Sequence, residues 1–155
     1  MGYVLERFPW TIASLGSASQ PISIDDGKVI VAIIVATQSP SVWTASKIVL
    51  TAYVPDSGKN EPGGFDQTTG TWQGGPYDSS AVFTPILNDA GAAIAFGDGA
   101  NTGLQYIQVG STTAFPRQID GVRFVKINSG TVAGAVLTPV AQQQAVSGYL
   151  VIREL

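Results

Sequence analysis

The chain has no cysteine and no histidine among its 155 residues. Without cysteine there is no disulfide framework, and nothing ties the protein to an oxidising or a reducing compartment. Without histidine as well, the commonest zinc and copper ligands are missing, as are the Ser-His and Cys-His catalytic pairs. Charge is scarce too. Charged residues make up 12% of the chain, against about 25% in an ordinary soluble domain. The surface must therefore be largely neutral. Basic residues are few, and Arg117, Arg123 and Lys126 form only a sparse group. Phosphate contacts need clustered Lys and Arg, so nucleic-acid binding is disfavoured. The longest apolar run, "VIVAIIVA" from Val29 to Ala36, is too short to cross a bilayer as a helix. The opening "MGYVLERFPW" lacks a basic region followed by an apolar one. A product made in the cytoplasm is expected.

What the sequence does contain is a series of short β-branched segments bounded by turn residues. Strands are expected near Tyr3–Arg7, Ile22–Ile24, Lys28–Thr37, Ser46–Val54, Val82–Leu87, Ala92–Phe96, Leu104–Val109, Val122–Ile127 and Gly148–Arg153. Between them stand Asp26-Gly27, Asp56-Ser57-Gly58, Asn88-Asp89-Ala90-Gly91, Gly97-Asp98-Gly99, Asp120-Gly121 and Ser129-Gly130. In such turns Gly supplies positive φ, while Asp and Asn close local hydrogen bonds. The one helix-like segment is Val140–Val146, which could equally be a loop. Many short strands without intervening helices predict an all-β protein, an antiparallel β-sandwich of jelly-roll-like type with one long inserted loop. Residues 1–20 read as an N-terminal arm or edge strand. Residues 21–155 read as one sandwich domain carrying a Gly-rich acidic loop at 55–81.

The strand at Val29–Ala36 breaks the usual alternation. Strict period-2 spacing puts Val29, Val31, Ile33 and Val35 on one face and Ile30, Ala32, Ile34 and Ala36 on the other. In a two-layer antiparallel fold the outer face normally meets water and stays polar. Something should cover this one: the N-terminal Phe8-Pro9-Trp10, the long loop, or a neighbouring subunit. Phe8, Trp10, Ile30 and Ile34 are accordingly candidate partner-binding residues. Arg123 and Lys126 fit strand-edge guards against unwanted pairing.

The loop from Pro55 to Ala81 is long for a segment without regular pattern, and such loops are usually functional or disordered. Between Pro55 and Ser80, four acids (Asp56, Glu61, Asp66, Asp78) face Lys59 alone. The rest of the chain holds seven acids and seven bases, so the whole net charge of −3 lies in this loop. Its aromatics Phe65, Trp72 and Tyr77 can pin the loop to its own domain, anchor in a partner protein or stack on a sugar ring. Asp25-Asp26, Asp66 and Asp78 could in principle pair for glycoside hydrolysis, but turn and loop roles account for them. "NDAGAA" and "GDGANTG" lack the ligand spacing of a calcium loop. No enzyme activity, metal or cofactor is expected.

Three stretches carry a wider likeness: "SKIVLTAYVPDSG", "AVFTPILNDAGAAIAF" and "GVRFVKINSGTVAGAVLTPVAQQQAVSGYLVIREL". Together, from Ser46 to Leu155, their order resembles small all-β virion accessory proteins of tailed bacteriophages, of the head-decoration or cement type. The resemblance implies a non-enzymatic structural protein on the capsid surface, made in the bacterial cytoplasm. Its partners would be the major capsid protein or another virion protein and further copies of itself, commonly as trimers. It implies no catalytic residues. A carbohydrate-binding or host-adhesin domain of a phage tail or fibre, using the loop aromatics on a glycan, is the alternative expectation.

Overall fold

The computed structural model of the chain describes residues 5–25, 27–37, 47–54, 64–73, 75–79, 81–96, 103–108, 119, 122–142 and 145–154. Among them lie twelve strands: β1 (Leu5–Ile12), β2 (Ile22–Ser23), β3 (Lys28–Thr37), β4 (Lys47–Tyr53), β5 (Gly64–Asp66) and β6 (Thr71–Gln73), then β7 (Phe83–Pro85), β8 (Ala95–Phe96), β9 (Gly103–Gln108), β10 (Phe124–Ala133), β11 (Val136–Pro139) and β12 (Val146–Glu154). They form two antiparallel sheets packed as a sandwich. The first runs β1-β12-β3-β9, the second β11-β10-β4-β7 with β2 paired to β10 and β8 to β4. The strands β5 and β6 make a separate two-stranded ribbon.

The core is built from alternate residues of facing strands, as the pleat requires. Trp10, Ile12, Ile33, Val35, Leu150 and Ile152 of the first sheet join Ile48, Leu50, Val125 and Ile127 of the second. In β1 the pattern is clean: Trp10 and Ile12 are buried, while Leu5, Arg7, Pro9 and Thr11 are exposed. Pro9 can sit there because β1 is an edge strand, where a missing N–H breaks no inner ladder.

Strict alternation fails in β3. Its register against β12 runs Ile33 to Leu150, Ala32 to Val151, then Ile30 to Ile152, so Val31 is an extra residue. This bulge shifts the side-chain phase. Ile30 enters the main core with Ile33 and Val35, while Ala32, Ile34 and Val151 form a second buried cluster with Val31 packed against it. The period-2 face assignment from the sequence is therefore corrected at this point.

Two further expectations are overturned. Ser129-Gly130 is no turn, because β10 continues through it to Ala133 and pairs with β11. The Ser129 hydroxyl donates to the Val140 carbonyl at 2.6 Å. A Cβ on Gly130 would collide with the Thr138 carbonyl oxygen, so glycine here permits close approach of backbones. No helix occurs among the described residues. In the Val140–Val146 segment, the N–H groups of Val140 and Gln142 serve the carbonyls of Ser129 and Gly16, and Val146 opens β12. These bonds tie Val140 and Gln142 to distant parts of the chain.

Candidate functional site

The long loop contains structure of its own, contrary to the sequence expectation. β5 and β6 pair in the register Gly64–Gln73, Phe65–Trp72 and Asp66–Thr71. The turn between them is closed by Asp66, whose Oδ1 accepts the Thr68 N–H at 2.8 Å and whose carbonyl accepts the Gly70 N–H. Gly70 takes φ +70°, as such a turn requires. Phe65 is 53% exposed and lies directly opposite Trp72 in the ladder. After the hairpin, Gly75 and Pro76 are buried. That anchorage delivers Tyr77 to the second sheet, where its ring meets Phe124 edge-on at 6.0 Å.

The outer face of that sheet is where side chains of most chemical interest gather. Antiparallel pairing sets Tyr53 of β4 opposite Phe83 of β7, and their rings lie 5.5 Å apart. Phe124 of β10 meets Tyr53 edge-on at 6.2 Å. Two registers along, Lys126 stands opposite Thr51. Its ammonium lies 4.7 Å from the centre of the Phe83 ring, a cation–π contact. Burial pushes the Lys126 pKa below its ordinary value. Among the described residues no carboxylate lies within ion-pair distance of it. Beside it the buried Thr51 hydroxyl lies 2.7 Å from Asn128 Oδ1 and 3.1 Å from the Lys126 carbonyl, so these polar groups serve one another. Tyr53, Phe83 and Phe124 are half-buried and Tyr77 is more exposed. The face offers rings in edge-to-face contact and one desolvated cation.

Lys126 is thus not a strand-edge guard. β10 is flanked by β4 on one side and by β2 and β11 on the other, which makes it an inner strand. Arg123 lies just before β10 and is exposed.

The first sheet's outer face is apolar in a different way. Leu5, Pro9 and Tyr149 are exposed on it, and it grades into the buried cluster of Ala32, Ile34 and Val151. Of the residues picked from sequence for partner contact, Trp10 and Ile30 belong to the core, at 3% and 1% exposure. Phe8 packs against that core. Ile34 does face outward, but at 6% exposure it is covered within the chain. None of these four presents a free apolar surface, because the residues around them already bury it. Of the loop aromatics, Tyr77 lies on the second sheet, and Phe65 and Trp72 pair in the hairpin.

Of the acids considered for catalysis, Asp66 closes the hairpin turn and Asp25 lies beside Lys28, while Asp26 falls outside the described residues. Lys28 donates to Glu6 Oε1 at 2.7 Å and lies 3.6 Å from Asp25 Oδ2, closing one end of the sandwich. The hydrogen bond to Glu6 raises the Lys28 pKa above its ordinary value. Among the described residues no three metal-ligating side chains gather.

Sequence reasoning passed over Tyr53, Phe83 and Phe124, and gave Lys126 a different role. The signal was present: each sits at an outward position of its strand. They are far apart in sequence, and only the pairing of β7, β4 and β10 makes them one surface. Compared with protein-family models, with curated proteins and with solved structures, the chain matches none.

Proposed function

We propose that this chain is a non-enzymatic structural protein of a tailed-bacteriophage virion, which docks on the capsid surface and braces neighbouring capsomers. One observation carries the reading. The sandwich bears apolar or aromatic side chains on both outer faces, with Leu5, Pro9 and Tyr149 on one sheet and Phe83, Phe124 and Tyr77 on the other. A two-layer fold in free solution keeps those faces polar. A brick with two sticky sides can bridge one protein to another, and such copies also meet each other. Burial of apolar surface contributes about 25 cal/mol per Å² before the ordering costs are subtracted. Modest contacts suffice where many copies act on one shell. The order of segments from Ser46 to Leu155, which resembles small phage decoration proteins, supports the same role.

The direct test is a count of this chain against the major capsid protein in purified virions, by quantitative mass spectrometry. A decoration protein is present in numbers comparable to the capsomers. A few copies per particle would move it to the neck, tail or a fibre, and absence from the particle would remove the reading. A glycan-binding adhesin is the second reading, favoured by the half-exposed Phe65 directly opposite Trp72. In that case Trp72→Ala abolishes binding on a glycan array and leaves Tm nearly unchanged.

A further inference from the structure

We infer that β1 is an exchangeable arm: in a dimer of this chain, each copy's β1 swings out at the turn of residues 13–16 and lies beside β12 of the other copy. The inference goes beyond the proposed role and rests on β1 and its turn alone.

The turn is closed by a hydrogen bond from the Gly16 N–H to the Ala13 carbonyl at 2.9 Å. Of its two central residues only Leu15 takes positive φ, at +64°. That is the type II pattern, in which this position calls for Gly or Asn. A leucine there is strained, and at 80% exposure its side chain gains little packing to offset the strain. Straightening the turn relieves it. The opening gives up two backbone hydrogen bonds, Gly16 to Ala13 and the Leu15 N–H to the Gln142 carbonyl. The hinge ends at residue 16. Beyond it the Ser17 carbonyl accepts from Ser129 and the Ser19 N–H donates to Ile127, so the chain stays with its own second sheet.

What lies before the hinge is separable from the rest. β1 is the first of the described strands and an edge of its sheet, and it pairs along its whole length, Leu5 to Ile12, with β12. Trp10 and Ile12 enter the core, and Glu6 accepts from Lys28. A second copy's β1 offers the same side chains to the same slot, so each of these contacts can be remade between copies. Only the hinge changes its surroundings. Two such sheets could also meet edge to edge, but Pro9 stands within β1 with no N–H to give and works against that pairing. Exchange uses the other side of β1, where β12 supplies the ladder.

Refolding of the full chain over a wide range of protein concentrations, followed by sedimentation velocity, tests it. Concentrated refolding is expected to yield a dimer that dissociates slowly on dilution, because Trp10 and Ile12 must leave the core before β1 can move. A dimer has two hinges, so Leu15→Asn, which relaxes the closed turn, should lower the dimer association constant at least about tenfold. The chain has no cysteine. Thr11→Cys combined with Ser147→Cys, two exposed positions directly opposite in the β1–β12 ladder, therefore reports where β1 lies. A short bismaleimide should join the two positions between chains in the dimer and within one chain in the monomer, and should join neither single-cysteine variant. A chain monomeric at every concentration, a dimer indifferent to Leu15→Asn, or a dimer cross-linked only within its chains would overturn the inference. Joining of a single-cysteine variant would mean an ordinary side-by-side contact and would overturn it too. Monomers that still decorate capsids would remove the exchange and leave the proposed role standing. An exchanged dimer absent from virions would do the reverse.

Discussion

Gly148 sits at the crossing of three strands, and replacing it by alanine is the sharpest test of the packing. In β12 it lies between Trp10 of β1 and Val35 of β3. A Cβ at this position would collide with the Ile34 carbonyl oxygen and stand 2.8 Å from Trp10 Cζ2. Overfilling a packed site costs about 1–3 kcal/mol, and the upper end applies here because a backbone oxygen, with no rotamer to escape into, is the obstacle. Against this, alanine restricts the unfolded chain and returns about 1 kcal/mol. The net loss is about 2 kcal/mol, which for a chain of this size lowers Tm by roughly 4–8 °C. Differential scanning calorimetry of Gly148→Ala reads it directly. A Gly148→Ala protein that melts at or above the wild-type temperature would refute the reasoning, because unfolded-state entropy alone would then decide the outcome.

Three further outcomes are expected. Thr51→Val leaves Asn128 Oδ1 without its hydroxyl partner on a half-buried face, and should cost about 1–2 kcal/mol in urea denaturation. The Lys28–Glu6 pair raises the Lys28 pKa above 10.5. Its stabilisation is whole below that value and is lost as pH rises through the higher folded-state value. Glu6→Gln should therefore remove this part of the alkaline loss of stability, measured as Tm against pH from 9 to 12 (a range set by the ordinary lysine value of about 10.4). Leu15 holds φ +64° while 80% exposed, a conformation that costs a leucine about 1–2 kcal/mol. Leu15→Asn should raise stability by up to about 1 kcal/mol, because asparagine tolerates that conformation.

The class of fold could be read from the sequence because its signals are local. Short β-branched runs, separated by Asp-Gly and Asn-Asp turns, specify strands wherever they fall. β3 was legible to the residue, since a buried strand needs an uninterrupted apolar run. The face assignment within it was not, because a bulge depends on the partner strand and leaves no mark in the run itself. Ser129-Gly130 misled for a related reason. Glycine signals a turn and a close approach equally well, and only the presence of Thr138 alongside decides between them. The aromatic face of the second sheet was the least legible. Tyr53, Phe83 and Phe124 are ordinary outward residues until three strands place them together. The reverse holds for Trp10 and Ile30, which look like docking residues in isolation and are core once β12 lies beside them.

That position of β12 has a consequence for how the chain comes to be folded. It is the last of the twelve described strands in sequence, yet it is an inner strand of its sheet, with β1 on one side and β3 on the other. During synthesis β1 and β3 are made before their shared neighbour, and the described strands β4 to β11 are made before it arrives. The apolar run of β3 is then an unpaired edge, the kind of segment that invites association between nascent chains. Sheet formation across so long a stretch of sequence is also slow, on the order of milliseconds to seconds for folds of this topology. The N-terminal strands therefore depend on the C-terminal one to become a sheet. The bulge at Val31 and the proline in β1 both interrupt the strands left waiting for it.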